Sequence, residues 1–212
     1  MSFLKNWLLP LGLVLLTLVP VMAGIIRFNE IGNGGPITEE NRRFFSEPWI
    51  FRIHIFSSSI FGLFGALQFS PKFRAHYPKW HRFSGRILIL AAGISAITGI
   101  YLTIVFPRLE TDGPTLYYIR LVVGIVMITS LINAVLAIRR FDFKSHGAWM
   151  IRCYAIGLGA GTQAITHLPW LILYGQLLTG LIRDGAMGAG WLINYLIAEY
   201  LVRRGKMTNV KE

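Results

Sequence analysis

The sequence has little charge and almost no cysteine. Of its 212 residues only 15% are charged, 10 are acidic, and Cys153 is the single cysteine. A typical soluble domain carries about 25% charged residues. One cysteine excludes an intrachain disulfide and a cysteine-based metal cluster. Together with a hydrophobic share of 54%, the low charge excludes an ordinary soluble domain and predicts a single integral membrane domain over residues 1–212.

Familiar catalytic motifs are also absent. The chain contains no HExxH zinc motif, no GxSxG nucleophile motif and no phosphate-binding loop, so the sequence identifies no catalytic residue and leaves open whether the protein is an enzyme. The net charge of +11 is spread over short basic clusters between apolar runs. Such clusters are typical of topology signals and contacts with anionic lipid headgroups, and they argue against nucleic acid as a partner.

What the sequence does have is a series of apolar runs, each near the ~20 residues that cross a bilayer. The predicted fold is all-α, a polytopic transmembrane helical bundle. Its six spans are predicted at about 7–26, 49–69, 87–106, 117–138, 147–168 and 187–202. The polar residues 27–48 predict a loop long enough to cover the mouth of the bundle. Residues 168–186 are short for a span and are consistent with an interfacial or re-entrant helix, whose role stays open.

The distribution of basic residues predicts the orientation. With the amino terminus inside, the inner segments hold 14 of the 21 Lys and Arg residues and the outer segments hold the remaining seven. This bias predicts that both termini are cytoplasmic, in a multi-pass protein of the bacterial cytoplasmic membrane. A seventh span over 168–182 would place the basic tail outside, so six spans are preferred. The tail contains Arg203, Arg204, Lys206 and Lys211.

Four histidines fall at two depths of the predicted bundle. His146 and His167 bound the fifth span, and 21 helical residues correspond to roughly 30 Å and an angular offset of roughly 60°. His54 shares the outer level with His167, and His81 shares the inner level with His146. Opposed histidines on neighbouring helices can hold a b-type haem or a metal ion, so these four are candidate cofactor ligands. A structural role without any cofactor explains these histidines equally well. If a cofactor binds, the 21-residue spacing of His146 and His167 favours one site over two haems.

Arginines surround the inner histidines. Arg82 and Arg86 follow His81, and Arg152 follows His146 in HGAWMIR. Guanidinium groups here suit an anionic group such as a phospholipid headgroup, a haem propionate or a quinone oxygen. The alternative is simple snorkelling of the arginines to the inner interface.

A polar network is predicted around His167. Gln163 lies four residues before His167 on the same helical face, and Thr166 adjoins it. With Asn194 of the sixth span, these side chains are predicted to form hydrogen bonds that orient a ligand histidine. Glu199 is predicted to pair with Arg203, four residues later.

Several ordered motifs resemble a known family. They are His54 with GLFGALQF at 62–69, HRFSGR at 81–86, HGAWMIRCYA at 146–155 and WLINYLIAEYLV at 191–202. This set resembles the bacterial membrane proteins of domain-of-unknown-function family 2306, over most of the chain from about residue 44. The resemblance implies a multi-span membrane protein of unassigned activity. The architecture also resembles di-haem b-type membrane cytochromes, although the 21-residue histidine spacing departs from them.

Three functional hypotheses follow. The first is a haem- or metal-binding redox module for electron transfer. The second is a non-catalytic accessory or assembly subunit that packs against other membrane subunits in a larger complex. A small transporter is less favoured, because the sequence shows neither clear internal repeats nor many charged residues within the predicted spans. All three place the protein in a lipid bilayer.

Overall fold

The computed structural model describes residues 2–38 and 41–205, with side chains from residue 7 onward. The predicted tail residues Lys206 and Lys211 lie outside this part. The described residues form nine helices and no strand. The helices are α1 Ser2–Asn33, α2 Arg42–Ser46, α3 Pro48–Gln68, α4 Pro71–His76, α5 Pro78–Val105, α6 Leu116–Arg139, α7 Phe143–Gly157, α8 Gly159–Tyr174 and α9 Gly180–Arg203.

Four of these helices are long and apolar enough to cross a bilayer: Trp7–Asn33 of α1, and all of α3, α5 and α6. They confirm an all-helical membrane protein with several spans. Their outward surfaces are apolar; on α5, Leu90, Ile97 and Ile104 recur every seven residues with exposed fractions of 67%, 62% and 58%. Such a stripe is suited to lipid, since the bilayer core is an apolar solvent.

Proline and short polar residues explain where the helices begin. Pro48, Pro71 and Pro78 occupy the first turns of α3, α4 and α5, where a missing N–H costs no hydrogen bond. The side chain of Asp142 caps α7 by accepting a hydrogen bond from the Ser145 backbone N–H. Gly175 ends α8 with a φ of 64°, a left-handed conformation that glycine adopts readily.

The structure divides the fifth predicted span, 147–168, at Leu158, between α7 and α8. Leu158 keeps a helical φ of −76° and ψ of −6°, and its N–H donates to the Tyr154 carbonyl oxygen at 2.9 Å. Glycines surround Leu158, and a Cβ atom on Gly159 would overlap the Trp191 ring. The close approach of α9 therefore requires glycine here. The single crossing over 147–168 and the angle between His146 and His167 stay predictions.

Two other boundaries also differ from the expectation. Helix α1 continues to Asn33, so the predicted loop over 27–48 is shorter and contains the small helix α2. The 168–186 segment is divided: α8 continues through Pro169 to Tyr174, and α9 starts at Gly180.

The core lies where α3, α5, α6 and α7 meet. Phe61 and Tyr154 are among its most buried side chains, and their rings meet edge to face at 5.4 Å. The Tyr154 hydroxyl donates a hydrogen bond to the Gly62 carbonyl oxygen at 2.6 Å, so its polar end is satisfied inside the apolar core.

Candidate functional site

A cavity of about 410 Å³ lies inside the bundle. Of the described helices, all except α4 contribute to its wall. Its volume is within the range of about 300–1,000 Å³ of small-molecule sites. Most of the wall is apolar. The polar and charged residues that line it are Thr17, Arg43, His54, Ser58, Ser59, Ser95, Thr103 and Arg120.

His54 is the imidazole in this wall. Its Nδ1 lies 2.9 Å from the Thr98 hydroxyl oxygen, on α5. Thr98 donates its only hydroxyl proton to the Ile94 carbonyl oxygen at 2.7 Å. With the hydroxyl proton on that carbonyl, the Thr98 oxygen accepts from the Nδ1–H of His54, and in this tautomer Nε2 carries the lone pair.

Glycine makes room for this ring. Gly99, which also lines the cavity, lies beside His54, and a Cβ atom there would approach the ring Cε1 at 3.4 Å. A larger residue at this position would press on the imidazole and narrow the cavity.

One part of the cavity wall carries two guanidinium groups, from Arg43 of α2 and Arg120 of α6; we call it the arginine end. Arg120 donates to Asp112 at 2.9 Å, and Asp112 also accepts from Arg183 at 2.8 Å. The Nε of Arg43 is buried and has no hydrogen-bond partner among the described residues. Burial, together with the charge of Arg120, lowers the pKa of Arg43 to about 10, so this arginine still carries its charge at neutral pH.

Asp184 fixes the start of α6 and thereby the position of Arg120. Its carboxylate accepts from the backbone N–H groups of Gly113, Thr115 and Leu116 at 2.7, 2.9 and 3.0 Å, and from the Thr115 hydroxyl at 2.7 Å. A carboxylate that accepts from the free N–H groups of a helix amino terminus is favourably placed in the helix dipole. Asp184 belongs to α9, so this contact joins the two helices.

The second outer histidine lies elsewhere. His167 does not line the cavity that contains His54. Its Nδ1 lies 2.7 Å from the Gln163 carbonyl oxygen, and its Nε2 is buried without a hydrogen-bond partner in the described part of the chain. The joint ligand site of His54 and His167 stays a prediction.

The polar residues near His167 join α8 to α9. Gln163 donates from Nε2 to the Met187 carbonyl oxygen at 3.1 Å, and Thr166 donates to the Ala186 carbonyl oxygen at 2.8 Å. Asn194 accepts from Thr162 at 2.8 Å and donates to the Ala155 carbonyl oxygen at 3.2 Å. These bonds satisfy buried polar groups between α8 and α9 and, at Ala155, between α9 and α7, and none of them reaches His54.

The inner histidines lie near each other. His146 and Arg74 are close enough to His81 for their charges to act on it. The Nδ1 of His146 lies 2.9 Å from the Ala134 carbonyl oxygen of α6, whereas the Nδ1 of His81 is buried without a hydrogen-bond partner among the described residues. Arg82 and Arg86, on the same helix as His81, are exposed.

Arg152 is already neutralised. Its Nε and Nη2 donate to the two carboxylate oxygens of Glu199 at 2.5 and 3.1 Å, and its guanidinium lies 4.6 Å from the centre of the Trp149 ring. A bidentate pair of this kind leaves little of the Arg152 charge for an external anion. The predicted partner Arg203 is more distant, with 3.8 Å between its Nε and a Glu199 oxygen.

Metal ligands do not cluster in the described part of the chain. No group of three or more His, Cys, Asp or Glu side chains there is arranged to hold a metal ion.

Sequence reasoning missed the arginine end. Arg43 lies in the loop that was expected to cover the bundle, and Arg120 lies in the first turns of an apolar span. A charge near the start of a span is a recognised signal for function. The signal was available, but the convergence of α2 and α6 was not visible in the sequence.

A family profile described as a predicted membrane protein of unknown function, DUF2306, matches residues 51–202. The chain belongs to the DUF2306 family. No curated protein and no solved structure matches the chain. The DUF2306 match includes His54, Thr98 and Arg120 but begins after Arg43. The family description supports a multi-pass membrane protein and names no activity.

Proposed function

We propose that this DUF2306 protein binds a hydrophobic ligand or cofactor in the cavity between its helices, with His54 as the principal polar contact. The observation that carries the proposal is the His54 geometry. An imidazole lines a cavity of about 410 Å³, and the Thr98 hydroxyl holds its Nδ1 at 2.9 Å. A second residue that orients the ring is the arrangement that proteins use for ligating histidines.

The proposed membrane frame has six crossings. The helices α1, α3, α5 and α6 provide four, α7 and α8 together provide the fifth, and α9 provides the sixth. Both termini are placed in the cytoplasm by the bias of basic residues, and the membrane is the bacterial cytoplasmic membrane. In this frame α2 and the start of α3 are on the outer side, so His54 and the cavity belong to the outer half of the bundle.

The first specific form of the proposal is a haem-binding electron-transfer module. Haem would supply one-electron redox chemistry at the cavity. His54 would hold the haem through Nε2, and Thr98 would fix the tautomer and orientation of the ring. Met127 and Met187 also line the cavity, and thioethers are among the groups that ligate haem in some cytochromes.

A spectrum of the purified full chain tests this form, recorded reduced minus oxidised beside a metal analysis. We expect a Soret band that His54→Ala lowers by more than half while membrane insertion is kept. The matched control is His76→Ala, because His76 is exposed and bonds only to the Lys72 carbonyl oxygen. His167→Ala separates a two-histidine site from a one-histidine site.

Absence of both a Soret band and a stoichiometric metal would reject the redox form. Co-purification of a colourless chain with other membrane proteins would instead favour the accessory or assembly subunit. An accessory subunit needs no ligand in the cavity. Its co-purification with other membrane proteins should therefore be unchanged in His54→Ala.

A further inference from the structure

Positive charge accumulates around the arginine end of the cavity. Among the described residues, the charges that act on Arg43 are those of Arg27, Arg120 and Arg183, against the carboxylate of Asp112. That carboxylate is already shared between Arg120 and Arg183, and Arg27 pairs with Glu30. Within the described part of the chain, Arg43 therefore lies among other cations and forms no ion pair with a carboxylate.

Arg43 also has an unused donor. Its Nε is buried and lacks a hydrogen-bond partner in the described part of the chain, while its guanidinium lies 4.7 Å from the centre of the Phe44 ring. A buried donor without an acceptor costs free energy, and like charges nearby add to that cost. An anionic oxygen in the cavity would relieve both costs, since Arg43 and Arg120 line the same wall.

The rest of the wall has the opposite character. From the arginine end inward, α6 presents Val123 and Met127, the interruption between α7 and α8 presents Leu158, and α9 presents Trp191. The site thus has a cationic end and an apolar body, and this polarity matches a molecule with an anionic head and an apolar tail.

We propose that the cavity binds an amphiphile whose carboxylate or phosphate head is held by Arg43 and Arg120 and whose apolar part extends past His54. Guanidinium groups bind both kinds of oxyanion by charge-assisted hydrogen bonds. The inference rests on the proposed function in one respect, because both use the same cavity. It adds the chemical class of the ligand and the residues that select it.

The test uses the purified full chain in nanodiscs of zwitterionic lipid, with empty nanodiscs subtracted. Equilibrium binding is measured for dodecanoate, dodecyl phosphate, the neutral dodecanol and inorganic phosphate. We expect either alkyl anion to bind at least about tenfold more tightly than dodecanol, a difference of about 1.4 kcal/mol. Inorganic phosphate should compete weakly, because it lacks the apolar part.

Substitutions assign the preference to the arginine end. Arg43→Gln should reduce the preference for the alkyl anions to less than about threefold and leave dodecanol binding unchanged. The matched control is Arg139→Gln, an exposed arginine at the other end of α6, which should keep the full preference. If Arg43→Gln does not fold, Arg43→Lys can be used instead. Lysine keeps the positive charge but lacks the planar guanidinium, so this variant should show an intermediate preference for the alkyl anions.

Each outcome decides between the two proposals. Equal binding of dodecanoate and dodecanol would overturn the anionic-head inference and leave the cavity proposal standing. Full competition by inorganic phosphate would show a site for free anions and overturn the amphiphile. Binding of none of the four probes would overturn the inference and count against the cavity as a site for flexible hydrophobic ligands, leaving the haem spectrum to decide the proposed function.

Discussion

At the scale of single residues, one buried ion pair shows how this bundle accommodates charge. Arg152 and Glu199 show the arrangement clearly, since both side chains are mostly buried, with exposed fractions of 15% and 20%. Two hydrogen bonds join them, and the Trp149 ring covers the guanidinium. Removal of one partner leaves the other charged and poorly solvated, which is costly.

Glu199→Gln tests this account. The neutral amide keeps the shape but removes the charge that compensates Arg152, so we expect the unfolding free energy to fall by about 1.5–3 kcal/mol. Thermal unfolding in detergent measures the change. Arg203→Gln is the control, because Arg203 is 82% exposed and contacts Glu199 only at 3.8 Å; its effect should be near zero. Equal losses from both substitutions would contradict a special role for the pair with Arg152.

The sequence predicted the partner of an ionic side chain only from local spacing. Glu199 was assigned to Arg203 because four residues make one helical turn, whereas its closer partner Arg152 is 47 residues away. His54 was recognised as a candidate because a histidine in an apolar span is unusual. Its partner Thr98 was not predicted, since the contact depends on how α3 and α5 pack.

At the scale of elements, glycines determine how closely the helices approach. Gly157 and Gly161 face different helices. A Cβ atom on Gly157 would lie 2.7 Å from the Phe61 ring of α3, and one on Gly161 would lie 2.2 Å from the Leu16 backbone oxygen of α1. One short segment therefore fixes α7 and α8 against two neighbours at once.

Gly161→Ala should consequently be destabilising. The added methyl group would meet backbone, which cannot rotate away, so α1 and α8 would have to separate; overpacking of this kind costs about 1–3 kcal/mol. The matched control is Gly12→Ala on α1, where no atom lies within 4 Å of the added Cβ. Thermal unfolding of the two variants should differ by several degrees, and equal midpoints would argue against close contact of α1 with α8.

Element positions were largely predictable, and their interruptions were not. Apolar runs of about 20 residues, bounded by Pro48, Pro78 and basic segments, mark α3, α5 and α6 because the bilayer sets their length. The break at Leu158 escaped prediction, since glycines inside a transmembrane helix are common and most do not interrupt it. What makes this one different is the Trp191 ring at Gly159, a contact between distant parts of the chain.

At the scale of the whole molecule, the cavity is formed where many helices of the bundle meet. Its wall takes residues from eight of the nine described helices, so no local pattern could have predicted it. The interruption between α7 and α8 contributes Gly157, Leu158 and Gly161 to the wall. The irregularity within the fifth predicted span thus helps to form the candidate site.

The orientation of the whole molecule is the last prediction. The outer arginines Arg27, Arg120 and Arg183 are ion-paired with acidic residues, whereas the inner connection after α6 carries Arg139, Arg140 and Lys144 within six residues. Basic residues in short inner loops resist translocation, so both termini should be cytoplasmic. Alkaline phosphatase, which is active only outside the cytoplasmic membrane, should be inactive when fused to the carboxy terminus and active when fused after Glu110. The opposite pattern of activities would reverse the orientation of the six-crossing frame and move the arginine end to the cytoplasmic side, whereas equal activity of the two fusions would overturn the number of crossings.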